Sequence, residues 1–131
     1  MPVIAEIVSK PSDQDLIDLE KTYEGQTQWL QNAIAGSDLV IGGRFNDRLV
    51  AACVLTDEGD HWQLEKLQVR AITRRRGVAR QTLNSMLKKL AITRPVQVDL
   101  TDNSELTALF TELGFSRNTA HQDKTIYQWQ P

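Results

Sequence analysis

Between His61 and Arg70 an extended apolar run changes phase: Trp62 and Leu64 occupy even positions, whereas Leu67 and Val69 occupy odd ones. Successive side chains of a strand point to opposite faces, so a single regular strand with one buried face cannot carry both pairs. Two geometries give this pattern. One inserts an extra residue as a β-bulge near Glu65-Lys66, and the other buries the strand on both faces. A bulge would leave backbone groups without ladder partners in the middle of a sheet. Directly downstream comes Ala71-Ile72-Thr73-Arg74-Arg75-Arg76-Gly77-Val78-Ala79, then a helix with Ala79, Leu83, Met86, Leu87 and Leu90 at helical spacing.

That strand, arginine loop and helix define a candidate anion site. A helix N-terminus presents unpaired N–H groups and partial positive charge, and Gly77 with the small Ala79 allows close approach to the backbone. The spacing is neither that of the Walker loop nor that of the dinucleotide fingerprint. Charge sharpens the point. The chain carries a formal net charge of −2, yet Glu65 to Arg80 holds Lys66, Arg70, Arg74, Arg75, Arg76 and Arg80 against a single acid. One concentrated basic loop on an acidic protein suits a small polyanion such as a pyrophosphate better than a nucleic acid, which calls for a broader basic face with interleaved aromatic residues. The competing interpretation is a solvated arginine run that merely starts a helix.

The rest of the chain frames this segment. Val3 to Val8 is expected to form a first strand. Ser12 is the expected N-cap of a helix reaching about Tyr23, with Leu16, Ile17 and Leu19 as its apolar face. Gln26 to Ala35 is a second helix. Leu39 to Phe45 and Leu49 to Leu55 form a hairpin about Asn46-Asp47-Arg48, residues that tolerate unusual backbone angles. Pro95 to Leu100 is the fifth strand. Asp102-Asn103-Ser104-Glu105 resembles a capping box ahead of a helix with Leu106, Leu109, Phe110 and Leu113 on one face, ended by Gly114. Phe115 to Arg117 and Thr125 to Trp129 close the chain as strands. At 131 residues the chain is expected to be one domain.

Other chemistries find little support. The single cysteine, Cys53, lies in an apolar run and is expected to be a buried, reduced thiol. His61 and His121 are far apart in sequence without metal-ligand spacing, so no metal is expected. No apolar run approaches the ~20 residues that span a bilayer, and the N-terminus lacks a secretory pattern. The expected location is the cytoplasm, without membrane or nucleic-acid partners.

Taken together, the phase fault, Arg74-x-x-Gly77-x-Ala79 and the amphipathic helix resemble the acyl-CoA site of the GNAT superfamily, whose consensus there is Gln/Arg-x-x-Gly-x-Gly/Ala. The resemblance covers nearly the whole chain. It implies an α/β (α+β) GNAT fold: one mixed central sheet of about six to seven strands, a bulged and splayed fourth strand, and about four flanking helices. It further implies acetyl-CoA or CoA as ligand. Backbone groups of Leu67 and Val69, flanking Gln68, would meet the pantetheine arm, and Thr73, Arg74, Arg75, Arg76, Gly77, Val78, Ala79 and Arg80 would hold the pyrophosphate. Asn103 matches an asparagine that often contacts the cofactor. Phe110 occupies the position of the tyrosine that commonly protonates the departing thiolate, and a phenyl ring has no proton to give. Glu65 is the candidate general base if acetyl transfer occurs, against the plainer role of an exposed, paired strand carboxylate.

Several segments are similar to one group within that superfamily, the PanZ/PanM regulators of aspartate 1-decarboxylase (PanD) maturation. They are Ser12-Asp13-Gln14-Asp15 with Asp18-Leu19, Arg44-Phe45-Asn46 with Arg48-Leu49 and Ala51-Ala52, Val69-Arg70 with Thr73-Arg74-Arg75-Arg76-Gly77-Val78, and Leu113-Gly114-Phe115. Ala79 stands where that group has glycine. The resemblance implies a CoA-dependent partner of the decarboxylase proenzyme, monomeric on its own, that promotes the backbone cleavage producing the pyruvoyl group. It implies a docking surface of Arg44, Asn46, Arg70 and Arg75. From the residues alone, Asn46 is first a turn former and Phe45 a core residue.

Overall fold

A computed structural model describes residues 2–70 and 77–131. The expectations for Thr73, Arg74, Arg75 and Arg76 lie outside the described residues. Seven strands form one sheet in the order β1-β2-β3-β4-β5-β7-β6, with β1 Ile4–Ile7, β2 Leu39–Phe45, β3 Arg48–Asp57, β4 Trp62–Val69, β5 Val96–Asp99, β6 Ser116–Asn118 and β7 Ile126–Trp129. Every pairing is antiparallel except β4 with β5. Among the described residues four α-helices complete the fold: α1 Asp13–Thr22, α2 Thr27–Ala35, α3 Val78–Lys89 and α4 Thr107–Glu112.

The helices cover both faces. Leu83 and Met86 of α3 and Phe110 of α4 pack with Ile41, Cys53, Leu55, Trp62, Leu64, Val96 and Val98 on one side. Leu19, Tyr23 and Leu30 of the α1–α2 region pack with Val40, Leu49, Ala52 and Val54 on the other. β3 is therefore the strand buried on both faces, continuously from Leu49 to Leu55, which explains its unbroken apolar run. β1 would be an exposed edge, but α3 lies against it. Gln81 Oε1 accepts from the Val3 amide at 2.9 Å and Ser85 Oγ from the Ala5 amide at 2.8 Å.

Local chemistry accounts for most boundaries. Ser12 caps α1 with its hydroxyl accepting from the Asp15 amide, and Asp15 accepts in return from the Ser12 amide. The β2–β3 hairpin turns on Asn46 and Asp47, both at positive φ (48° and 68°), the mirror-image turn that matches strand twist. Gly114 ends α4 with the Phe115 amide reaching back to the Phe110 carbonyl at 3.0 Å, and the two rings meet edge to face at 5.0 Å.

Two local expectations fail. Ile17 is 46% exposed, and the face that α1 buries carries Asp15, Asp18, Leu19 and Thr22. Arginines of the hairpin receive those acids: Arg48 Nη2 lies 2.6 Å from Asp18 Oδ1, and Arg44 Nη1 lies 3.1 Å from Asp15 Oδ1. At Asp102 to Glu105 no side-chain cap forms. The chain instead makes a 3-10 turn, Ser104–Leu106, before entering α4.

Candidate functional site: a slot beside a bulged central strand

The phase fault resolves as an inserted residue. Ala52 stands opposite Gln68 and Val54 opposite Glu65, two steps along β3 against three along β4. The extra residue is Lys66, which adopts φ 57°. The consequence lies on the other edge of β4. β5 pairs with β4 only through Trp62–Val96, Gln63–Gln97 and Leu64–Val98. Beyond Leu64, β4 continues along β3 to Val69, while β5 continues along β7 to Asp99.

The two strands thus enclose a cavity of about 730 Å3, with Glu65, Leu67 and Gln68 on its β4 side and Asn103 and Phe110 on the α4 side. Val69 is half-buried and pairs with Ala51. Glu65 is exposed, and the Thr56 hydroxyl donates to its Oε2 at 3.4 Å. Its neighbour Lys66 is engaged elsewhere, with its ammonium over the Trp29 ring at 5.2 Å and 3.5 Å from Gln26 Oε1. Asn103 is exposed and makes no cap bond, so its side chain is not committed to a helix start.

The expected anion site falls at the start of α3. Gly77 is its N-cap at φ 68°, and a Cβ added there would meet nothing within 4 Å. Glycine is demanded by the backbone angle rather than by crowding. Val78 is buried and anchors the first turn, whereas Ala79 is half-buried. Arg80 is largely exposed, with Nη2 3.2 Å from Glu112 Oε2. A second cavity of about 560 Å3 lies here, bordered by Gly77, Arg80, Asn84 and Lys88.

The expected docking residues divide. Asn46 is exposed at the hairpin tip. Arg44 makes five hydrogen bonds within the fold, to Glu6, Asp15 and the Asp47 carbonyl. Arg70 has a side chain only 14% exposed, with Nη1 3.7 Å from Asp18 Oδ1. Arg44 and Arg70 are thus half-buried and engaged with acids, whereas Asn46 is exposed; Arg75 lies outside the described residues. Cys53 is fully buried and its thiol is pushed up to about 12 by burial, as suits a core thiol.

Two groups at the slot were not anticipated. His61 and His121, remote in sequence, both line the cavity, together with Lys124. Pairing of β7 with β5 carries the segment before Ile126 to the mouth of the slot, and no local sequence signal announces that proximity. His61 Nδ1 lies 2.7 Å from Asp60 Oδ1, and that contact holds the Asp60 carboxyl below its ordinary range. Among the described residues, no group of three or more His, Cys, Asp or Glu is placed to hold a metal ion.

This architecture has known counterparts. Residues 2–123 match the family described as "Acetyltransferase (GNAT) domain, PanZ". The chain belongs to the PanZ family. It is 33% identical over 121 residues to the PanD regulatory factor of Escherichia coli K12, covering 89% of this chain and 94% of that protein. It is 31% identical over 108 residues to the PanD regulatory factor of Salmonella typhimurium LT2, covering 80% and 84%. The solution structure of E. coli YhhK, a putative N-acetyltransferase bound to coenzyme A, aligns over 100% of both chains at 26% identity with a TM-score of 0.65. PaiA N-acetyltransferase from Thermoplasma acidophilum, in complex with coenzyme A, likewise covers both chains completely, at 17% identity and a TM-score of 0.69, a likeness of fold. The PanZ-family chain thus has the GNAT fold that the resemblance implied, with a seven-stranded mixed sheet and four α-helices among the described residues. Among the described residues, no helix is long and apolar enough to cross a membrane.

Proposed function

We propose that this chain is a cytoplasmic, acetyl-CoA- or CoA-binding regulator that docks on the aspartate 1-decarboxylase proenzyme and promotes its cleavage to the pyruvoyl form. The observation that carries the reading is the slot: a ladder that stops at Leu64–Val98 beside a bulge at Lys66, with an α-helix starting at Gly77 on the same strand's exit. An extended polar arm fits beside an opened strand edge, and a diphosphate fits a helix start. Leu67, Gln68 and Asn103 would border the arm. Gly77 to Arg80, with Thr73 to Arg76, would hold the phosphates. The relatives' description as PanD regulatory factors supports the choice of partner.

Phe110 argues for regulation over catalysis. It is fully buried, lines the slot and offers no proton to a departing thiolate. Bound ligand would engage the arginine loop and so couple cofactor level to partner affinity. Asn46, exposed on a two-residue turn braced by Arg44 and Arg48, is the contact proposed for the partner.

Calorimetry of this chain against the decarboxylase proenzyme tests the proposal. Acetyl-CoA is expected to tighten the complex at least tenfold and to speed appearance of the cleaved chain on a denaturing gel. Equal affinity with and without acetyl-CoA would overturn it. Acetyl transfer is the second reading, favoured by Glu65 standing at the slot wall. Thiol release from acetyl-CoA with amine acceptors, abolished in Glu65→Gln, would establish it instead.

A further inference from the structure

A lysine at φ 57° in the middle of a strand persists only when its surroundings over-determine it. The described contacts of Lys66 converge on α1 and the segment that follows. Tyr23, the C-cap of α1, is 1% exposed, and its hydroxyl donates to the Lys66 carbonyl at 2.7 Å. The carbonyl lies between the register pairs Val54–Glu65 and Ala52–Gln68, where the β3–β4 ladder slips. Tyr23 is itself held: Trp29 meets it edge to face at 5.1 Å, and it packs in the cluster of Leu19, Leu30 and Leu49. Burial pushes its phenol above the ordinary range, so it is a donor at every working pH.

We propose that Tyr23 is a positioning residue for the slot: its bond to the Lys66 carbonyl holds β4 in the bulged form that parts it from β5. This inference rests on the slot being the CoA site. It follows that Tyr23 governs affinity for the pantetheine arm and not for the phosphates, whose proposed place is the start of α3 at Gly77. A residue that merely stabilised the fold would weaken both alike.

The test titrates full-length wild type and Tyr23→Phe with CoA and with adenosine 3′,5′-bisphosphate, which carries phosphates but no pantetheine. Tyr23→Phe keeps the ring contact with Trp29 and removes one part-buried hydrogen bond, so CoA affinity is expected to fall roughly tenfold while the fragment changes less than about twofold. In the ligand-free variant, amide resonances of Leu67 and Gln68 shift. Glycine takes a positive φ without cost, so Lys66→Gly in the Tyr23→Phe background is expected to recover most of the lost CoA affinity. Parallel loss for both ligands, or unmoved Leu67 and Gln68 amides, would overturn the role of Tyr23. Wild type that binds neither ligand would overturn the CoA reading of the slot, and with it this inference.

Discussion

Asp18 concentrates more of the fold in one side chain than any residue named in the site. It is fully buried, yet accepts from Arg48 Nε and Nη2, from the Leu49 amide at 3.1 Å and from Gln14 Nε2 at 3.1 Å. Burial opposes its charge, but the bonds from Arg48, the Leu49 amide and Gln14 outweigh burial, and the carboxyl titrates below its ordinary value. Asp18→Asn keeps the shape and turns an amide N–H towards donors. A cost of about 2 kcal/mol is expected in urea unfolding at pH 7. Because the folded-state value is depressed, the unfolded chain takes up the proton first as pH falls below about 4. The contribution of Asp18 is complete at neutral pH and fades as pH drops through its folded value. The gap between wild type and Asp18→Asn should therefore narrow in acid, and a gap that widens would show that the charge is not what stabilises.

At the scale of elements, what could be read in advance followed the range of the interactions. The Asn46-Asp47 turn and the Gly114 cap are set within six residues of chain, and the break of period two between Leu64 and Leu67 left the bulge as one of two readings, which the register then decided. The buried face of α1 escaped because 3.6-residue periodicity favours Ile17 over Asp18. Only a hairpin some 30 positions later, supplying Arg48, reverses that choice. The histidines of the slot escaped for the same reason, since β5–β7 pairing assembles them. The α3–sheet contact makes its own prediction. A Cβ on Gly43 would lie 2.3 Å from Thr82 Oγ1, which is pinned by a 2.8 Å bond to the Val78 carbonyl. Gly43→Ala is expected to cost about 1–3 kcal/mol by pushing α3 off β2. Thr82→Ala removes the obstructing atom, so the double variant should recover most of that loss in a thermodynamic cycle. Additive costs would show that α3 has room to move.

The whole molecule is a seven-stranded sheet split at its centre, and its stability should report on what fills the split. β1 to β4 form one antiparallel run and β5, β7 and β6 another, and the seam between them is the three register pairs from Trp62–Val96 to Leu64–Val98. The core around Leu83, Met86 and Phe110 crosses that seam on one face only. A ligand lodged between Leu67 and Asn103 would bridge the two runs where backbone pairing is lacking. Ligand held at a hundredfold excess over its dissociation constant stabilises by ~2.7 kcal/mol, which for a chain of 131 residues raises the melting temperature by about 10 °C. Acetyl-CoA is expected to produce that shift. Amide exchange at Val96 to Val98 should slow more than at the β1–β2 pairing, because the seam is what the ligand closes. A melting shift with uniform protection across the sheet would place the ligand away from the split, and no shift at saturating acetyl-CoA would mean the opening in the sheet serves something other than CoA.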